Sequence, residues 1–519
     1  MKILISGLLL VLTLSSMAQQ KYWVYLKDKD TTGYNPYTFF DQKAIDRRIR
    51  NNIPVYHISD VPVNQHYVSV LDSKCDSVSY ASRWFNAVCL YATNEQIADI
   101  SQLEFVTKIE VSGAIPTLCS YEGGEVAPYP NSVLELQVTS MQGQMFHNAG
   151  YRGDGVRVAI FDGGFPKVDE LDCFKHIRDN NRIIKTYDLA KKTENVYHGS
   201  SHGTTVLSCI AGMANDSTPI GLATNAEFLL ARTEIGLEPF SEEENWLAAL
   251  EWADQNGADI VNSSLGYTVH RYFPFDMDGQ TAFVSRAANT AASKGILVVN
   301  AAGNEGTDKD WKIIGAPADA DSILSIGGVQ PFTLTHINFS SYGPTADGRL
   351  KPNVCAFGQV EAHGKKKMGT HYGTSFASPL VAGFAACALQ TDPEMSTWDL
   401  FQEIQHSGSL YPYYDYAHGY GIPQASYFLG VDTDTLNPEI HFKINSDSIE
   451  IEVFPLSGDA PEVHYVFVHL TDPDGKILWY KVITSYENPV MRISRDEIAE
   501  AQYLRVHYAG LTKEFKLKN

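Results

Sequence analysis

The sequence predicts an α/β protein in which a parallel sheet covered by helices on both faces is preceded by a small α+β domain and followed by an all-β, sandwich-like domain. Three observations predict it. Between about Asn131 and Gly430, five near-continuous apolar runs, "VRVAIFD", "AEFLLAR", "ADIVNSSLG", "GILVVNAAG" and "ILSIGG", alternate with helical stretches; strands of that composition are buried on both faces, and the alternation with helices implies parallel pairing. Ahead of them lies a strand–helix–strand pattern of about a hundred residues, and behind them the helical pattern gives way to period-2 alternation.

Taken in order, residues 1–18 read as a secretory signal, with Lys2, an apolar run from Ile3 to Leu14, and Ser16-Met17-Ala18 as a cleavage triplet. The run is short for a bilayer span and no later one is longer. The mature chain is therefore expected outside the cytoplasm, in the periplasm, at the cell surface or free, with no transmembrane segment once the signal is removed. Residues 19–118 contain a strand-like "KYWVYLK", a basic amphipathic "FFDQKAIDRRIRNNI" and "RWFNAVCLYATNEQIADISQLEFVTKIEV", which reads as strand, helix, strand. Residues 119–130, in the Gly-, Pro- and Ser-rich "SYEGGEVAPYPN", read as a linker. In 131–430 the helical stretches "EENWLAALEWADQNG" and "AFVSRAANTAASKG" each end in the glycine that suits a helix stop. In 431–519, "SIEIEVF", "HYVFVHL" and "ILWYKVI" alternate, with "DPDG" at Asp472–Gly475 as a turn between the last two.

A net charge of -21 disfavours non-specific contact with phosphate backbones, which depends on clustered Lys and Arg, so nucleic acid is excluded as a partner. The seven cysteines, Cys75, Cys89, Cys119, Cys173, Cys209, Cys355 and Cys387, show no CxxC spacing, against zinc-ribbon and thioredoxin-like sites, and the odd count leaves at least one unpaired within the chain.

Chemistry concentrates at three places. Asp162 ends the run "VRVAIFD" and is followed by two glycines that let the chain turn, at the strand end where α/β sheets gather functional groups. His202 opens the helical "GTTVLSCIAG". A metal site with His198, four residues earlier, is disfavoured: glycine and two serines intervene, and the glutamate of an H-E-x-x-H motif is absent. Ser375 opens the apolar helix of "GTSFASPLVAG", where unpaired backbone N–H groups of a helix start lie nearby. A hydroxyl becomes a nucleophile when a base takes its proton and a third group orients that base. Asp162, His202 and Ser375 supply these parts in the chain order of subtilisin-type triads, and the G-x-S-x-G that an α/β-hydrolase needs is missing.

On "IFDGGF", "SHGTTVLSCIAG" and "GTSFASPLVAG", Asn131–Gly430 resembles the catalytic domain of subtilisin-like serine peptidases, the subtilases. The resemblance implies a subtilisin-like three-layer fold and a secreted serine endopeptidase working through an acyl-enzyme. It adds Asn304, in "NAAGNEG", as the side-chain donor of the oxyanion hole beside the Ser375 N–H. It also implies extended protein or peptide substrates, with Ser264, Leu265 and Gly266 and with Ala301, Ala302 and Gly303 flanking the first specificity pocket, and Gly315 near its base. From an unperturbed histidine pKa of about 6.5, a neutral to alkaline optimum follows. Gly163 stands where the family more often has Ser or Thr, and no familiar calcium loop is evident; no cofactor is required for the chemistry, no metal ligand is assigned, and a structural calcium stays open.

The N-terminal region resembles inhibitory propeptides on "FNAVCLYATNEQIADISQLEFVTKIEV", implying a self-inhibited zymogen cut between Pro116 and Leu134; a permanent cover domain is the alternative. The last domain resembles C-terminal sorting domains of secreted bacterial proteins but lacks their opening "PNP" and late Gly-x-Tyr, and an accessory or substrate-contact sandwich fits equally. Two rival functions are a non-catalytic cell-surface binding protein on the same scaffold and a protein that processes only itself.

Overall fold

Seven strands form the central sheet, in spatial order Val354–Phe357, Leu324–Val329, Leu297–Ala301, Ile260–Ser263, Arg157–Asp162, Glu227–Arg232 and Ile183–Asp188, and every neighbouring pair is parallel. This computed structural model describes residues 19–112, 116–118, 133–215, 217–235, 241–268, 272–432, 438–454, 464–485 and 490–517. The signal at 1–18 and the linker at 119–130 lie outside the described residues.

The five apolar runs supply the five inner members of the sheet apart from its two edges. Period-2 alternation sends Val158 and Ile160 to a core with the helices His202–Ala211 and Thr374–Thr391, and Ala159 and Phe161 to a second core with the helices Glu242–Gln255 and Phe283–Ser293. Sequence reading missed both edge strands. Ile183–Asp188 is half-exposed and mixed in polarity, and Val354–Phe357 is four residues long, so neither has the continuous apolar signature of an inner strand.

The N-terminal unit is a four-stranded antiparallel sheet in the order Ser77–Ser82, Ala87–Ala92, Gln20–Leu26, Val106–Val111. Tyr22 and Val24 face its own small core, whereas Trp23 turns to the catalytic domain and stacks on Phe283 with ring centroids 5.0 Å apart. The basic segment becomes the helix Gln42–Arg50, capped by the Asp41 side chain. Arg47 and Arg48, both fully buried, reach across to Asp254, which also pairs with Arg83 at 2.7 Å. Burial alone would raise the Asp254 carboxyl; Arg83, Arg47 and Arg48 more than reverse this and hold it well below the usual carboxylate range.

Behind the catalytic domain, the sheet Glu439–Ile444, Ser448–Phe454, Val490–Ser494 and the sheet Ile477–Ser485, His464–Thr471, Tyr503–Tyr508, Leu511–Lys516 enclose one core of alternate residues such as Ile449, Ile451, Val466, Val468 and Leu504. The "DPDG" turn closes as expected: Gly475 takes a φ of +84°, and its N–H donates to Asp472 O at 3.2 Å. Cys75, Cys89, Cys173, Cys209, Cys355 and Cys387 are free thiols, all buried except the half-exposed Cys75, and Cys119 lies outside the described residues. Among the described residues no helix is long and apolar enough to cross a membrane.

Candidate active site

Asp162 closes the inner strand Arg157–Asp162 and is fully buried. The Gly163 N–H donates to its Oδ1 at 2.7 Å, and His202 Nδ1 donates to its Oδ2 at 2.8 Å. Two glycines make this approach possible. A Cβ on Gly203 would stand 2.4 Å from Gly164 O and 2.8 Å from the Asp162 Cβ, and one on Gly163 would stand 3.0 Å from the Ser200 Cβ. The second contact is a physical reason for glycine where the family resemblance suggests Ser or Thr.

His202 is the first residue of its helix and is buried, with the Phe376 ring 5.5 Å from the imidazole. Its Nε2 has no hydrogen-bond partner among the described residues. His198 faces a different carboxylate, Asp188, at 3.4 Å, and Arg232 joins Asp188 at 2.8 Å to the Gly163 carbonyl at 3.0 Å. The two histidines therefore do not converge. Among the described residues no group of three or more His, Cys, Asp or Glu side chains is arranged to hold a metal ion.

Ser375 is the second residue of the helix Thr374–Thr391 and is fully buried; its Oγ donates to Ser264 O at 3.1 Å. Pro379, four residues on, has no N–H to give the Ser375 carbonyl, and the Ser264 hydroxyl takes that role at 2.9 Å. Asn262 donates to Ser264 Oγ at 3.2 Å and accepts from Ser378 Oγ at 2.9 Å, so the start of the helix is bolted to the strand Ile260–Ser263. Asn304, half-buried, is oriented by Thr374: its Oδ1 accepts the Thr374 N–H at 3.0 Å and the Thr374 hydroxyl at 2.9 Å. That leaves Nδ2 as the outward donor of the amide.

Beyond Ser264, the strand Leu265–Tyr267 pairs antiparallel with Pro116–Leu118 of the N-terminal region, Leu118 opposite Leu265, Thr117 opposite Gly266 and Pro116 opposite Tyr267. The 301–303 segment differs, because the fold uses its backbone: the Ala302 N–H donates to Ile326 O at 3.0 Å and its carbonyl accepts Gly315 N–H at 3.3 Å. Gly303 N–H meets the Thr374 hydroxyl at 3.3 Å, and Ala301 is the buried last residue of its strand. Gly315 fills the space between Ala302 and Thr268, where a Cβ would come 2.6 Å from the Thr268 methyl.

Sequence reading named Ser264 beside the pocket but not the part its hydroxyl plays, 111 residues along the chain from its partner, and it passed over two further residues that shape this site. Thr374 stands beside Ser375 and acts through a hydroxyl whose partner lies 70 residues away along the chain. Glu234 follows the strand Glu227–Arg232 and receives Tyr267 OH at 3.4 Å; burial, then the neighbouring Glu242 carboxylate, push its carboxyl well above the usual range.

Comparison with known proteins places this arrangement. Residues 153–421 match the model of the subtilase family, peptidase S8, and residues 21–121 match the peptidase S8 propeptide domain of Bacteroidota. The chain is 27% identical over 330 residues to subtilisin NAT of Bacillus subtilis subsp. natto, covering 63% of this chain and 76% of that protein. It is 30% identical over 262 residues to a subtilisin of Bacillus pumilus, 50% of this chain and 85% of that one, and 28% identical over 306 residues to the alkaline protease of Alkalihalobacillus alcalophilus, 59% and 72%. With three motif blocks brought to one end of a seven-stranded parallel sheet and the family pattern spanning more than half of its length, this chain belongs to the subtilase family of serine peptidases and carries its own propeptide domain.

Proposed function

We propose that this is a secreted serine endopeptidase, made as a self-inhibited zymogen, that hydrolyses peptide bonds through Asp162, His202 and Ser375. The observation that carries the reading is the buried Asp162–His202 pair at the sheet end, with the hydroxyl of Ser375 held at a helix start beside a strand that already accepts an extended segment. For reaction the Ser375 hydroxyl turns from Ser264 O to His202 Nε2. Its oxygen attacks the substrate carbonyl carbon while the proton passes to Nε2, and Asp162 stabilises the imidazolium. The oxyanion is received by the Ser375 N–H and Asn304 Nδ2. Collapse breaks the C–N bond, the leaving amine takes the proton from Nε2, and water then releases the acyl group by the same steps.

The pairing of Pro116–Leu118 with Leu265–Tyr267 supports occupation of the cleft by the chain's own N-terminal region, and hence latency until that segment is cut and displaced. An apolar signal at 1–18 supports export. The test is direct. The processed enzyme should react with a fluorophosphonate at Ser375 and degrade a generic unfolded protein, and Ser375→Ala should do neither and should remain full-length after expression. Labelling and self-cleavage without any cut in added substrate would instead support a protein that processes only itself.

A further inference from the structure

The strand register gives direction to the cleft. Ser264 O accepts from the Ser375 hydroxyl, so the substrate residue facing Ser264 precedes the cleaved bond; the residues facing Leu265, Gly266 and Tyr267 are then the second, third and fourth before it. A longer substrate continues past Thr268. There the Tyr272 N–H donates to Thr268 O at 3.3 Å, and the next residues include two phenylalanines exposed to solvent.

Phe273 and Phe275 are 60% and 71% exposed, stacked with centroids 5.2 Å apart and planes inclined by 11°. Their loop is held from below. Tyr272 is buried, its hydroxyl donating to Glu243 at 2.5 Å and accepting the Phe283 N–H at 3.0 Å; Asp276 holds the Phe273 N–H at 2.8 Å; Met277 is fully buried, and its carbonyl accepts Ala346 N–H at 2.9 Å. The two rings contribute little to the folded core and are shown outward in a fixed geometry, which lowers the entropy cost of binding something against them.

Resting on the endopeptidase reading above, we propose that Phe273 and Phe275 form a further substrate subsite, continuous with the Leu265–Tyr267 track, that takes an aromatic or large aliphatic side chain at the fifth or sixth residue before the cleaved bond. The occupant is the substrate strand itself, because the track ends beside Thr268, whose carbonyl accepts the N–H of Tyr272, the residue before Phe273.

The test compares peptides that share four residues before the bond and differ in a two-residue extension, Phe-Phe, Leu-Leu, Ser-Ser or none, using the processed enzyme from the full chain. The Phe-Phe extension is expected to raise kcat/KM about tenfold over Ser-Ser, as desolvated apolar contacts do, and the gain should fall below about twofold in Phe273→Ser/Phe275→Ser. A thermal melt confirms that the doubly substituted protein is folded. Equal gain in both proteins, or no gain in the wild type while the four-residue peptide is still cut, overturns the subsite and leaves the endopeptidase reading standing. Failure to cut any peptide, with no label on Ser375, overturns both.

Discussion

Ser264 shows how one hydroxyl serves fold and site together. Pro379 leaves the Ser375 carbonyl without its helical partner, and the Ser264 Oγ–H satisfies it inside a fully buried region. Ser264→Ala is therefore expected to destabilise the protein by about 1–3 kcal/mol, the penalty for an orphaned buried acceptor, which a chemical-denaturation midpoint would report. It should also reduce turnover, because the same bond sets the start of the Ser375 helix. Asn304→Ala removes the proposed side-chain donor to the oxyanion and is expected to lower kcat by about 10²–10³ with little change in KM. Thr374→Val takes the hydroxyl from the Asn304 amide and should give a smaller fall in kcat, about tenfold. A loss confined to KM at position 304 would point to ground-state binding in place of oxyanion stabilisation.

At the scale of elements, the strand pairing and the basic helix act on different parts of the catalytic domain. On the proposed reading of the cleft, in which the residue facing Leu265 is the second before the cleaved bond, the pairing of Leu118 with Leu265 predicts a cut after residue 119 of the sequence. N-terminal sequencing of the processed chain is expected to begin at Ser120, and a start at another residue would refute this register. The helix Gln42–Arg50 sits at the other ends of two helices. Arg47 Nη1 donates to Ala258 O and its Nε to Lys294 O at 3.2 Å, just past the C-termini of Glu242–Gln255 and Phe283–Ser293, where helix dipoles favour cations. This buried contact lies apart from the cleft strand, so cutting the linker does not disturb it. After processing, the N-terminal domain is expected to co-elute with the enzyme in size-exclusion chromatography, and Arg47→Ala/Arg48→Ala to release it. The basic character of "DQKAIDRRIR" was legible in the sequence. That its arginines would be buried against Asp254 was not, because the partner lies more than two hundred residues away.

For the whole molecule, the two flanking domains are attached by chemically different seams. The C-terminal sandwich meets a loop of the subtilase domain around 410–420 through histidines and aromatics. His469 Nδ1 hydrogen-bonds Tyr414 O at 2.6 Å, Tyr413 stacks on His469 at 4.8 Å and lies 6.1 Å from His507, and Phe467 packs on His418 at 5.3 Å. His418 pairs with Asp415 at 2.9 Å and accepts the His336 N–H, also at 2.9 Å. Burial, helped at His336 by the neighbouring His418, pushes His336 down to about 3 and His469 and His507 down to about 4; the other charges facing them are Asp415, Arg505, Glu514 and Lys312. These histidines are neutral when folded and take up protons when unfolded below pH about 6.5, so the stability they contribute is present above that value and is lost as pH falls toward about 4. Asp254, depressed by its arginines, contributes stability that fades only below about pH 4. Melting temperature is therefore expected to fall between pH 6.5 and 4.5, with limited proteolysis cutting first near residue 431. Mild acid that frees the N-terminal domain before the C-terminal one would contradict this ordering.

What the sequence determined by itself was local: five apolar strands, the turn glycines beside Asp162, the basic helix, the alternating strands after residue 438, and three motif blocks carrying Asp162, His202 and Ser375. Apolar periodicity and short motifs survive in one dimension because they arise from neighbours along the chain. The tertiary structure decided the rest: the Asp162–His202 contact across 40 residues, the Ser264 hydroxyl on the Ser375 carbonyl across 111, the cleft strand at 116–118, and the burial of Arg47 against Asp254 across 207. Each of these is a pairing of polar groups whose free energy depends on being removed from water together, and only the folded chain fixes which groups share a dry site.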